Sequence, residues 1–245
     1  MWRRALLVGA LLALPAVALA EAPPVGLSDL AQATNEPEVA QAVRWIVALT
    51  AMTVLPGIVM LMTPFTRIVI VLSLVRQALG LQQSPPNQVL IALALVLSMA
   101  VMQPTLEVVQ RDAVQPYLAG EIETGAAWDA AMGPMRRFML AHTERDELRT
   151  AIKIARIPRP ETLDDLPLTV VVTGYVLSEL QTAFVTAVKV YLPFLVVDLV
   201  TASILLGTGM MMLPPVVLSM PFKLLLFVLM DGWSLLVLGL TGANQ

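Results

Sequence analysis

Four long apolar segments, separated by prolines, glycines and charged residues, dominate the hydrophobic pattern of the chain. They run from Val43 to Met62, from Val89 to Met102, from Leu168 to Leu206 and from Val216 to Leu240. A helix of about 20 apolar residues is long enough to cross the hydrocarbon core of a bilayer. The pattern therefore predicts an all-α fold of membrane-associated, kinked helical hairpins with a small polar helical module.

Prolines lie inside or beside several of these segments, and a proline removes a backbone donor and clashes with the preceding helical turn. We therefore expect helix interruptions or ends at Pro56-Gly57, Thr63-Pro64-Phe65, Gln103-Pro104 and Pro193. The dipeptide Pro-Phe recurs as a weak internal repeat at Pro64-Phe65, Pro193-Phe194 and Pro221-Phe222. It has two interpretations: chance use of a common dipeptide, or three helix breaks near a common depth.

A shorter helix is predicted from Phe65 to Leu79, and it carries Arg67 and Arg76. Gly80 follows it as the expected cap, since glycine readily adopts the left-handed conformation that ends many helices. Ser84-Pro85-Pro86-Asn87 then predicts a turn before the second apolar segment.

Residues 1–20 have the pattern of a secretory signal peptide. Arg3 and Arg4 precede an apolar run from Ala5 to Leu14, and Ala18-Leu19-Ala20 supplies the small residues of a cleavage site. We expect cleavage after Ala20, and an uncleaved N-terminal anchor is the alternative. The mature chain would then begin outside the cytoplasm of a bacterial cell with a polar lead-in.

A polar module, residues 111–167, follows the second apolar segment. Thr143-Glu144-Arg145-Asp146 looks like a capping box that opens a helix, and Ile157-Pro158-Arg159-Pro160 would end that helix. Its eight basic residues alone would place the module on the cytoplasmic side of the membrane. The positive-inside bias weakens as loops approach ~60 residues, so we follow the signal peptide and expect the module outside the cytoplasm.

The expected domains are a signal peptide (1–20), an extracytoplasmic lead-in (21–42), a first hydrophobic hairpin (43–110), the extracytoplasmic module (111–167) and a second hydrophobic region with a methionine loop (168–245).

Charged side chains occur in segments that otherwise look buried in a membrane: Arg67, Glu179, Lys189, Asp198, Lys223 and Asp231. Each costs roughly 2.5 to 3.5 kcal/mol at the centre of a membrane helix. Helical neighbours pair at spacings of three or four residues, whereas the opposite charges in the last two segments lie about two or more turns apart. Their partners must lie on another helix, on another chain or in water, and we expect an oligomer. The alternatives are helix stapling, snorkelling to an interface by Lys189 and Asp231, and a proton or ion relay.

Three consecutive methionines follow the third apolar segment: Met210, Met211 and Met212, flanked by Gly207, Gly209, Pro214 and Pro215. Successive side chains on a helix point about 100° apart, so three adjacent methionines cannot share one face. The glycines and prolines predict a short non-helical loop. Because methionine is flexible and polarizable, such loops can form a deformable hydrophobic constriction. A methionine-rich turn packed in a core is the alternative.

Composition and charge exclude several classes of function. The chain is 58% hydrophobic and 13% charged, with a mean hydropathy of +0.80, whereas soluble domains carry about 25% charged residues. The net charge of -3 gives no indication of a nucleic acid partner. There is no cysteine, His142 is the only histidine, and no nucleotide-binding or hydrolase motif occurs, so we expect no enzyme activity, metal site or cofactor. The one enzyme-like alternative is an intramembrane aspartyl protease using Asp198 and Asp231.

Four stretches of the chain resemble the FliP family of the flagellar type III export gate, which has relatives in injectisomes (SctR). They are MTPFTRIVIVLSLVRQALGLQQSPPNQVLIALAL from Met62 to Leu95, LSELQTAF from Leu177 to Phe184, LPFLVVDLVTASILLGTGMMMLPP from Leu192 to Pro215, and PFKLLLFVLMDGW from Pro221 to Trp233. The similarity covers nearly the whole mature chain. The signal peptide and the Asp231-Gly232-Trp233 ending favour the flagellar branch.

The resemblance implies a pore-forming, non-enzymatic subunit in the bacterial inner membrane, within the flagellar basal body. It implies a homo-oligomer, a pentamer by resemblance, that assembles with FliQ and FliR, has FlhA and FlhB as further partners, and passes unfolded flagellar subunits. It also implies that Met210, Met211 and Met212 line the constriction as a gasket. An ion-coupled transporter using Asp198 and Glu179, and a structural scaffold without a pore-lining role, are the alternative functions.

The chain departs from the family pattern at three positions. Pro64 stands where a serine is common before the Phe-Thr-Arg element, and Gln181 stands where a lysine is usual. Lys189 occupies a place that is more often uncharged. The shifted positive charge leaves the partner of Glu179 open.

Overall fold

The computed structural model describes residues 36–81, 83–158, 162–210 and 213–241. The predicted signal peptide and most of the lead-in lie outside the described residues. The chain divides into two compact units, Met1–Val59 and Met60–Gln245. Throughout the described ranges the regular elements are helices, and no strand occurs there. The prediction of an all-α fold is confirmed.

The described part of the first unit is residues 36–59 of helix α1 (Glu36–Leu61). The second unit contains the remaining helices: α2 (Phe65–Ala78), α3 (Asn87–Val109), a π-helical turn (Gln110–Val114), α4 (Gln115–Leu118), α5 (Thr124–Ala141), α6 (Arg145–Ala155), a 3-10 turn (Leu163–Asp165), α7 (Leu168–Gly207), α8 (Pro215–Leu229) and α9 (Gly232–Thr241).

Three helical stretches are long and apolar enough to cross a membrane: Ala40–Leu61, Asn87–Leu118 and Leu168–Gly207. Helices α8 and α9, bent by 65° relative to each other, form a fourth such span if they are taken together. The apolar segments of the sequence thus correspond to helices of membrane-spanning length. The chain is a membrane protein.

The predicted interruptions at Pro56, Gln103-Pro104 and Pro193 are wrong, because Pro56 lies inside α1, Pro104 inside α3 and Pro193 inside α7. Pro221 likewise lies inside α8, so the three Pro-Phe pairs do not mark three helix breaks. A proline removes one backbone donor, whereas a full break in an apolar medium leaves several backbone groups without partners. Continuing the helix through the proline is therefore the less costly solution.

The predicted capping box at Thr143-Glu144-Arg145-Asp146 is also wrong, although α6 does begin at Arg145. The Thr143 hydroxyl donates to the Met139 carbonyl (2.7 Å) instead of capping α6. The backbone N–H of Glu144, the N-cap residue, donates instead to Ser178 Oγ on α7 at 3.0 Å. A hydroxyl distant in sequence thus accepts from the N–H that the N3 side chain would bond in a capping box.

Arg136 on α5 bonds to the turn that precedes α7. Its Nη2 donates to the carbonyl oxygens of Leu163 (2.9 Å), Asp164 (2.8 Å) and Leu166 (2.6 Å). The same turn carries a capping box, in which the Asp165 carboxylate accepts from the Thr162 backbone N–H and hydroxyl. The direction in which the chain enters α7 is thereby fixed by one guanidinium group and one local cap.

Helix α2 lies at the centre of the larger hydrophobic cluster. It buries Ile68, Val71, Leu72 and Val75, the spacing of one helical face. The same cluster includes buried side chains from four other helices: Leu90 and Ala94 of α3, Ala183 and Phe194 of α7, Phe227 of α8, and Leu236 and Leu240 of α9. This short helix is therefore the surface on which the long helices of the second unit pack.

The bend between α8 and α9 depends on Gly232. Asp231 has φ 49°, in the left-handed region, and a Cβ added at Gly232 would overlap the ring of Phe227. That ring is buried and lies between Phe194 (centroids 6.3 Å apart) and Trp233 (5.3 Å). It has little room to move away.

Gly232→Ala should destabilise the protein by about 1 to 3 kcal/mol, because the added methyl group must displace a packed aromatic ring. Gly239→Ala is the matched control, since its Cβ meets nothing within 4 Å and alanine is the better helix former. Thermal unfolding in detergent measures both variants. Equal melting temperatures would contradict the close packing at the bend.

Candidate functional site

The α7–α8 hairpin carries the predicted methionine loop at its tip. Helix α7 ends at Gly207, and Gly209 follows with φ 76°. The Gly209 N–H donates to the Leu206 carbonyl (3.2 Å) and the Met210 N–H to the Leu205 carbonyl (3.0 Å). These two bonds form a Schellman motif, which requires a left-handed residue at the position of Gly209.

The tip of the hairpin is exposed and non-helical where the structure describes it. Met210 is 55% exposed, whereas Met211 and Met212 lie outside the described residues. Pro214 is the N-cap residue of α8, and Pro215 is its first residue. Of the four residues expected to shape the loop, Gly209, Pro214 and Pro215 flank the methionines, and Gly207 is the last residue of the preceding helix.

Lys223 on α8 lies in a buried polar cluster, and the lysine is 2% exposed. Its ammonium group donates to Asp198 Oδ2 on α7 (2.6 Å) and to the carbonyl oxygen of Ala78 at the end of α2 (2.9 Å). The other carboxylate oxygen of Asp198 accepts from the hydroxyl of Ser219, which is fully buried. Two other helices thus supply the acceptors of one ammonium group, and the helix that carries it also holds the carboxylate through Ser219.

The Ala78 carbonyl is one of the acceptors that the end of a helix leaves without an intrahelical partner. The carbonyls of Arg76 and Gln77 bond to the N–H groups of Leu81 (3.2 Å) and Gly80 (2.9 Å) in a second Schellman motif. A cation at a helix C-terminus is favoured by the helix dipole. Lys223 therefore satisfies both an orphan acceptor and the partial negative charge of α2.

Glu179 on α7 pairs with Arg67 on α2. The distance from Arg67 Nε to Glu179 Oε2 is 3.3 Å, and the side chains are 16% and 3% exposed. Neither atom has a hydrogen bond in the described part of the chain, so the contact is an ion pair without hydrogen-bond alignment. The hydroxyl of Tyr175, one turn before Glu179, is also buried without a partner. This pair is less completely satisfied than the cluster at Lys223.

Lys189 and Asp231 are exposed, and within the described ranges neither takes part in an ion pair. The structure therefore brings together four of the six charges singled out in the sequence, as two pairs that each join different helices of one chain. A second copy is not needed to neutralise Glu179 or Lys223, which corrects the expectation that their burial requires an oligomer.

Sequence reasoning missed Ser219 and the Ala78 carbonyl. Ser219 carried a usable signal, since it precedes Lys223 by four residues and shares its helix face. The Ala78 carbonyl carried none, because which orphan carbonyl meets which side chain depends on helix packing between distant parts of the chain. Among the described residues, no cluster of histidine, cysteine, aspartate and glutamate suits a metal ion.

Comparison with known proteins places these features in a family. The model of the FliP family matches residues 48–240, which include both ion pairs and the methionine loop. The chain belongs to the FliP family.

Curated relatives agree with this assignment over most of their length. The flagellar biosynthetic protein FliP of Bacillus subtilis is 47% identical over 205 residues, covering 83% of this chain and 93% of that protein. FliP of Aquifex aeolicus is 41% identical over 225 residues, covering 91% and 92%. FliP of Caulobacter vibrioides is 45% identical over 205 residues, covering 84% and 77%.

Asp198→Asn should destabilise this FliP-family protein by about 3 kcal/mol, because it leaves the buried Lys223 ammonium without its counter-charge. The matched control is Asp231→Asn, which removes a carboxylate that is exposed and makes no ion pair in the described part of the chain. Asparagine tolerates the left-handed conformation at this position, so the control should be near neutral. Thermal unfolding of both variants in one detergent gives the comparison. Similar losses in the two variants would refute a stabilising role for the Lys223 cluster.

Proposed function

We propose that the chain is a pore-forming core subunit of the flagellar type III protein export gate, and that its methionine loop seals the closed channel. The observation that carries the proposal is the tip of the α7–α8 hairpin, where an exposed methionine follows a helix end fixed by a Schellman motif. The FliP relatives support the flagellar setting, since each is a flagellar biosynthetic protein by name.

Methionine suits a seal that must yield to many sequences. Its unbranched thioether side chain repacks around different surfaces, and it has no strong hydrogen-bonding group to hold water. A constriction lined by such side chains blocks ions by dewetting. Loops from several copies would together provide enough methionines to close a passage, which a single loop could not.

Assembly with other copies is supported by the apolar surface of the hairpin. Exposed hydrophobic side chains cover parts of both helices: Leu195, Val196, Leu199 and Val200 on α7, and Phe222, Leu225, Val228 and Leu229 on α8. Because the buried charges are paired within the chain, apolar packing would hold the homo-oligomer, with FliQ and FliR as neighbouring subunits and FlhA and FlhB as further partners. Contiguous exposed apolar surface of this kind marks protein or membrane contacts.

The proposed location is the bacterial inner membrane, within the flagellar basal body. The polar module, residues 111–167, would then lie on the periplasmic side, as the signal peptide indicates. The methionine loop would lie at the opposite end of α7, because the module precedes that helix and the loop follows it. Unfolded flagellar subunits are the proposed substrates.

The contacts of Asp198 favour a gate over an ion-coupled transporter. Both of its carboxylate oxygens are engaged, one by Lys223 and the other by Ser219. A carboxylate that carries a proton or ion through a transport cycle has to exchange partners, and this arrangement holds the group in one place. Replacement of the loop methionines distinguishes a gate from a scaffold without a pore-lining role.

Replacing Met210, Met211 and Met212 together with alanine should open a leak in the closed assembly, because the shorter side chains leave a gap that water can fill. The intact complex is purified from cells, reconstituted in lipid vesicles and tested by potassium efflux. The control is Met230→Ala, which changes a half-exposed methionine outside the loop. A triple variant that assembles and remains as tight as the parent would refute the seal and favour the scaffold.

A further inference from the structure

The polar contacts that fix α8 relative to the other helices are few, and they lie between its start and its middle. Among the described residues, its side-chain hydrogen bonds to other helices are those of Ser219 with Asp198 and of Lys223 with Asp198 and Ala78. Hydroxyl groups on the neighbouring part of α7, those of Thr201, Ser203 and Thr208, bond to carbonyls within their own helix. Elsewhere α7 and α8 meet through apolar side chains such as Phe194 and Phe227, whose ring centroids are 6.3 Å apart.

The cluster lies close to the tip of the hairpin. Lys223 is eight residues after Pro215, and Asp198 is nine residues before Gly207, so both lie about 12 to 14 Å from the loop along their helices. Between the cluster and the tip, Ile204, Leu206, Val216 and Val217 are all more than half exposed. Among the described residues between the cluster and the tip, Leu205 is the one that is buried.

A second contact supports α8 on the same side. Gly80, with φ 77° in the turn after α2, lies against the first turns of α8: a Cβ built there would be 3.7 Å from Met220 Cγ and 3.8 Å from Val216 Cγ1. Val216 is the residue after Pro215, where α8 begins. The C-terminal end of α2 thus contacts α8 at two points. Gly80, in the turn after α2, lies against the first turns of α8, and the Ala78 carbonyl bonds to Lys223 further along α8.

Lysine is well suited to join these elements. Its ammonium group has three donors on a long flexible stem, so a single side chain can reach the carboxylate of α7 and the helix end of α2 together. The pair alone would fix α8 only to α7. The additional bond to Ala78 fixes the hairpin to α2, the helix on which the core of the second unit packs.

We propose that Lys223, Asp198 and Ser219, together with the Ala78 carbonyl, form a positioning site. This site fixes the hairpin tip relative to α2 and thereby holds Met210 at the position along the passage that sealing requires. The role is distinct from stability of the fold, since it concerns the placement of an exposed tip. The inference rests on the proposed function, because a seal is what the positioning serves.

The test uses the double variant Lys223→Met/Asp198→Leu in the intact complex. Removing both charges together avoids an unpaired buried charge, and replacing a buried ion pair by apolar residues is often neutral for stability. We expect the complex to assemble with an unchanged melting temperature, yet to lose its seal, with potassium efflux from vesicles approaching that of the triple methionine-to-alanine variant. A double variant that is as tight as the parent overturns the proposal.

Ser219→Ala is the second variant, for the case in which the double variant does not assemble. It removes one hydroxyl and leaves the ion pair in place, so it should raise potassium efflux by less than the triple methionine variant does, at an unchanged melting temperature. A tight Ser219→Ala complex would overturn the proposal in that case. The triple methionine variant distinguishes failure of the proposed seal from failure of the proposed positioning site. If the triple variant is tight, the seal is refuted. If it leaks and the positioning variants are tight, only the positioning site is refuted.

Discussion

A buried ammonium group with two protein acceptors organises the second unit of this chain. Lys223 could not remain charged inside an apolar helical hairpin without partners, and it finds them on two other helices. Its carboxylate partner is in turn held by a buried serine. Since α2 supplies both the Ala78 carbonyl and, through Arg67, the partner of Glu179, this short helix connects both buried charges of α7 and α8 to the core.

Backbone hydrogen bonding explains where helices continue and where they end. Helices α1, α3, α7 and α8 pass through internal prolines, because an interrupted helix in an apolar medium would leave more groups unpaired than a proline does. The helices end instead where the chain supplies a replacement for the lost bonds. Gly80 and Gly209 do so with left-handed Schellman motifs, and the second of these motifs places Met210 at the exposed tip.

The fold could be predicted from the sequence to the extent that its signals are local. The apolar segments, the short helix from Phe65 and its ending at Gly80 all follow from hydrophobic pattern and glycine chemistry, and they agree with the structure. The helix interruptions predicted at prolines were wrong, because a helix in an apolar medium continues through a proline that would end it in water. The partners of Glu179 and Lys223 could not be predicted, since both pairings join residues that only tertiary packing brings together. The expectation that their burial requires an oligomer was wrong for the same reason.

The central claim is that the tips of several α7–α8 hairpins meet around one passage. The chain contains no cysteine, so a single cysteine introduced as Met210→Cys is a specific probe. Because each copy then carries one thiol, treatment of membranes with a short bifunctional thiol reagent should join neighbouring copies in pairs. We expect cross-linked dimers in high yield, since the tips of neighbouring copies would lie side by side. Monomers alone, from a complex whose native mass shows several copies, would contradict the account.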